Sequence, residues 1–99
     1  MDDSAFLDRI KAEAEVLSQA FLQGENKEYQ AEIPVQHQSS VSLNFSHTHV
    51  VVEDARRKTP YYMVRFEIRV GSQQEIPIYH LDFEFSPEGE LWDAFYLKV

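Results

Sequence analysis

From Tyr61 to Val70 the chain alternates without a break. Tyr62, Val64, Phe66, Ile68 and Val70 stand against Tyr61, Met63, Arg65, Glu67 and Arg69. A period of two over ten residues puts every apolar side chain of the first set on one face of a β-strand, and it excludes a helix. One face of that strand must therefore meet a hydrophobic layer, and the other carries charge. The rest of the chain is constrained by the need to supply that layer.

The N-terminal segment supplies it. Phe6, Ile10, Ala14, Leu17 and Phe21 recur at spacings of four, four, three and four, with Leu7, Val16 and Leu22 widening the stripe. This is the pattern of a helix laid across a sheet. Asp3 or Ser4 can cap its first turn, and Gly24 ends it. The polar face is acid-rich, unlike that of a helix lying on a membrane surface.

Further strands are expected on both sides of the central one. Tyr29, Ala31, Ile33 and Val35 alternate before it, although Pro34 cannot donate to a ladder and pushes that strand to an edge or ends it early. From Val41 to Val52, Val41, Leu43, Phe45, His47, His49 and Val51 read as one continuous inward face. Tyr79, Leu81, Phe83 and Phe85 face inward from the next strand, with His80, Asp82 and Glu84 outward on a solvated side. SPEGE at 86–90 is a short hairpin connection, and Leu91 to Lys98 is a last strand with both faces apolar. Short links favour consecutive antiparallel pairing. The expected fold is α+β: one N-terminal helix packed on one face of a four- or five-stranded antiparallel meander, in a single domain spanning residues 1–99.

Composition narrows the function. The chain has 99 residues, no cysteine, and seventeen acidic against nine basic residues for a net charge of −8. Thiolate chemistry, disulfides and cysteine-based metal sites are excluded. Nucleic-acid binding needs clustered cations, and only Arg56-Arg57-Lys58 offers them, beside Glu53 and Asp54. No stretch approaches the roughly 18 apolar residues of a membrane span, and the N-terminus lacks a secretory pattern, so a cytoplasmic location is expected. Nucleophile elbows, phosphate-binding glycine loops and HExxH are missing, so no catalytic residue and no cofactor is assigned.

Two groups of residues carry the functional expectations. His47 and His49 are spaced to share one face and one metal ion, with His80, Asp82 and Glu84 of a later strand as the supply of a third ligand. An unbroken strand turns the pair under the helix, while a single-residue bulge near Ser46 would turn it outward. The alternation favours the unbroken strand. On that reading Tyr29, His47, His49 and Tyr79 line a pocket between helix and sheet, and the order of elements resembles that of cystatin-like or NTF2-like cones. The second group is Tyr61, Met63, Arg65, Arg69, Trp92 and Tyr96, aromatics, Met and Arg of the kind enriched at interfaces, expected on the outer sheet face. The expected function is a non-catalytic binding or regulatory domain acting through protein contact, as a homodimer. The alternatives are an enzyme centred on His47 and His49, using a metal or a small molecule, and a ligand-binding cone.

Overall fold

The computed structural model describes residues 3–23, 41–52, 60–71 and 76–99. Helix α1 runs Asp3–Gln23, followed by strands β1 (Ser42–Val51), β2 (Tyr61–Val70), β3 (Ile76–Phe85) and β4 (Leu91–Lys98). The strands pair antiparallel in chain order, β1-β2-β3-β4, and the helix packs on one face of the sheet. This is the α+β meander the alternation implies. The strand expected around Tyr29 to Val35 and the basic cluster Arg56–Lys58 lie outside the described residues.

The helix buries Ile10, Ala14, Ser18 and Phe21 against Val64, Phe66, Ile68 and Val70 of β2 and Tyr79, Leu81, Phe83 and Phe85 of β3. Each large side chain buried in this layer contributes about 1.5–3 kcal/mol relative to exposure. Val16 does not widen the stripe. It is exposed, because position 16 lies about 200° round the helix from both Ala14 and Ser18. The Ser18 hydroxyl is buried and finds no hydrogen-bond partner among the described residues.

Aromatic contacts fix the helix at both ends. Phe6 packs on Tyr62 with ring centroids 5.0 Å apart, and Phe21 meets Tyr79 at 6.0 Å and Tyr96 at 4.5 Å. Toward β1, Lys11 Nζ stands 4.1 Å from the centroid of the Phe45 ring, which also meets Phe66 edge-on at 5.5 Å.

The β3–β4 connection docks on the first helical turns. The Ser86 amide donates to the Glu90 carbonyl at 2.8 Å, and the buried Ser86 Oγ accepts from the amides of Glu88 and Glu90 at 3.2 and 3.0 Å. Arg9 Nη2 then donates to the Glu88 carbonyl at 3.0 Å. Gly89 has φ +90°, and a Cβ there would run into the Arg9 guanidinium and lie 3.2 Å from Phe6 Cε1. Gly89→Ala is therefore expected to cost about 1–3 kcal/mol, from left-handed strain plus displacement of Arg9. Urea unfolding measures it, and a loss below about 0.5 kcal/mol would mean that the turn relaxes away from the helix.

Candidate functional site

Each of the three ladders carries one register shift. The breaks fall between Phe45 and His47 in the β1–β2 pair, between Ile68 and Arg69 in β2–β3, and between Glu84 and Phe85 in β3–β4. Counting partners across them makes Ser46, Ile78 and Trp92 the extra residues. Pro77 explains the second, since a residue without an N–H is tolerated inside a sheet mainly at a bulge.

The bulge at Ser46 corrects the reading of β1. Leu43 and Phe45 pair with Ile68 and Phe66 on the helix side. Beyond the bulge, Thr48 and Val50 take that side, opposite Val64 and Tyr62, and His47, His49 and Val51 face outward, opposite Arg65, Met63 and Tyr61. The strand is not continuous, and the histidines do not lie under the helix. Tyr79 does, buried against Phe21, so His47 and His49 line no common pocket with it. Tyr29, the fourth residue of that expected pocket, lies outside the described residues.

On the outer side, His47 and His49 stack with ring centroids 5.1 Å apart and planes inclined at 29°. Ser46 Oγ is 2.9 Å from His47 Nδ1. Neighbours in a regular strand point to opposite faces, so this side-chain bond follows from the bulge. His49 is held below the ordinary histidine pKa of 6.5, first by the partial desolvation of an otherwise exposed ring and then by the charges of His47 and Arg65, with Asp82 opposing. A group whose folded-state pKa is lowered stabilises the fold above its unfolded pKa, and that contribution is lost as pH falls below about 6.5. NMR titration should therefore give His49 a midpoint under 6.5, and His47→Gln should move it upward. A midpoint unmoved by that change would mean the two rings do not interact.

The middle of the outer face is an ordered charge ladder. Arg65 Nε and Nη2 donate to the two oxygens of Asp82 at 2.6 and 2.8 Å, and this bidentate bond keeps the guanidinium pKa above its ordinary value. Glu67 sits 3.2 Å from His80 Nε2 and 3.6 Å from Arg69 Nε. Charged residues of the two strands pair across the ladder, but the solvated side expected for His80, Asp82 and Glu84 is not there. Asp82 is 4% exposed and Glu84 not at all. At that end Tyr61 of β2 and Trp92 of β4 reach toward one another across β3, ring centroids 6.3 Å apart.

The expected metal set is divided by these pairings. His80 is engaged by Glu67, and among the described residues no three His, Asp or Glu side chains converge on one point. The expected interface set is divided too. Tyr61 is buried, Met63, Arg65, Arg69 and Trp92 are half-buried, and Tyr96 stands on the helix side against Phe21. Ile78 likewise packs into the helix-side core.

The exposed apolar surface gathers instead along β4. Leu91, Tyr96, Leu97 and Val99 are 40, 46, 47 and 60% exposed, and among the described residues β4 pairs with β3 alone. The Val99 amide donates to the Ile78 carbonyl at 3.0 Å, so the odd-numbered residues at this end turn their backbone toward β3. The even-numbered ones turn theirs outward, and the Ala94 amide is held by its neighbour's Asp93 Oδ1 at 2.9 Å. Among the described residues no helix is long and apolar enough to cross a membrane. Comparison with known protein families, curated proteins and solved structures finds no match.

Proposed function

We propose that this chain is a non-catalytic cytoplasmic binding domain that works through protein contact, and that its first partner is a second copy of itself, joined along β4. The carrying observation is the row Leu91, Tyr96, Leu97 and Val99, exposed on both faces of a strand at the border of the described sheet. An apolar border strand is a template for another strand. It is also a place where two chains of net charge −8 can approach, because the charges of β4 itself, Asp93 and Lys98, cancel. The other border strand, β1, is interrupted at Ser46, and a bulge blunts an edge against pairing.

Symmetry limits the register. Residues opposite one another in an antiparallel pair share a face, so a twofold axis through the sheet must pair residues whose numbers have an even sum. Trp92 is a bulge, the regular stretch beyond it runs from Asp93 to Lys98, and of its even-sum registers we take the one centred on Phe95. Phe95 then faces its own copy, Ala94 faces Tyr96, and Asp93 faces Leu97. The Ala94 amide exchanges its Asp93 side-chain acceptor for the Tyr96 carbonyl of the second copy. Native mass spectrometry with sedimentation equilibrium at micromolar protein tests the proposal. A dimer is expected, and a monomer at those concentrations overturns it.

A further inference from the structure

We propose that His47 and His49 together chelate a divalent transition-metal ion of the imidazole-seeking class, with Cu2+ the strongest ligand partner. The inference is independent of self-association through β4. It starts from the bulge at Ser46, which brings both rings onto the outer side of β1, one residue apart and stacked at 5.1 Å. Both residues are exposed, so small rotations about their χ angles can bring one nitrogen of each to about 3 Å separation, the span of two ligands sharing an ion at about 2.0 Å.

The orientation of one ring is already set. In the tautomer that carries its proton on Nδ1, His47 donates to Ser46 Oγ at 2.9 Å and leaves its Nε2 lone pair for the ion, the outer-shell arrangement that metal-ligating histidines generally have. Neither imidazole has a carboxylate partner among the described residues, whereas His80 is engaged by Glu67 and Asp82 by Arg65. Arg65, the cation opposite His47 on β2, is offset by the Asp82 carboxylate that it grips with two hydrogen bonds. Two imidazoles, with no converging third ligand among the described residues, make an open site completed by water, not a closed tetrahedral one. Such a pair selects along the order of imidazole affinity, in which Cu2+ leads, and gives Mg2+ and Ca2+ no oxygen cage.

The test is titration of the purified chain with CuCl2 at neutral pH, followed by calorimetry and by the nitrogen hyperfine pattern in electron paramagnetic resonance. A stoichiometric ion with a two-nitrogen signature is expected. His47→Gln and His49→Gln should each weaken it at least tenfold, and Ser46→Ala should weaken it about tenfold through loss of ring orientation. His80→Gln should leave it unchanged. His47 and His49 are exposed and Ser46 and His80 half-buried, and circular dichroism should show folded protein in every case. Wild-type binding no tighter than in the double variant H47Q/H49Q overturns the site, and a comparable loss in H80Q overturns the two-imidazole assignment.

Discussion

Replacing Arg65 by Met is expected to lower the unfolding free energy by about 3 kcal/mol, against about 1 kcal/mol for Asp82→Asn. The two residues share the same pair of hydrogen bonds at 2.6 and 2.8 Å, so a simple count of lost bonds would make the variants equal. Their surroundings differ. The Arg65 side chain is 28% exposed and that of Asp82 only 5%. Without the guanidinium, the carboxylate is left in a place water barely reaches, and an uncompensated buried charge costs several kcal/mol. Without the carboxylate charge, the side-chain amide of the D82N variant still offers an oxygen to Arg65, which can also turn its outer nitrogens to solvent. Urea unfolding of the two single variants and of R65M/D82N measures the difference, and the double variant should recover part of the R65M loss. Equal costs in the two single variants would mean that Asp82 is hydrated in solution.

The same residues explain how far the sequence could be read. Alternation reports which face a side chain takes, provided the count of residues stays in step. From Tyr62 to Val70, and from Tyr79 to Phe85, it stays in step, so the inner face of the two central strands was legible. A bulge adds one to the count, and no residue type is obliged to mark it. At Ile78 there is a mark in the neighbouring Pro77. At Ser46 the only sign is downstream, where Val50-Val51-Val52 stops alternating, and a run of valines fits either register. The misplacement of His47 and His49 is therefore an error of one residue, not of chemistry. Burial of Asp82 and Glu84 was hidden for another reason. A charged residue alternating with apolar ones looks the same whether it meets water or a partner, and only the lateral neighbours Arg65, Tyr61 and Trp92 distinguish the cases. The aromatic character of β4 was plain from the residues, while Tyr96 changed sides because Trp92 is an added residue.

A change of one side chain on β4 separates the proposed pairing from general stickiness. In the twofold register centred on Phe95, Leu97 of each copy faces Asp93 of the other, so any substitution acts twice per dimer. Leu97→Asp sets like charges directly opposite at both places and also removes two apolar contacts. The sum is about 3–5 kcal/mol, a loss of at least a hundredfold in dimer affinity. Leu97→Lys loses the same apolar contacts but sets an opposite charge against each Asp93, returning about 1 kcal/mol per pair relative to a neutral change. Sedimentation equilibrium should therefore rank wild type above L97K and L97K above L97D, the last two separated by about tenfold or more. Leu97 is 47% exposed and on the side away from the helix, so neither substitution disturbs the core, and matching unfolding curves would establish that. Asp93→Lys should reverse the order of the two variants. Equal affinities for L97K and L97D would remove Asp93 from the facing position, and with it the register centred on Phe95.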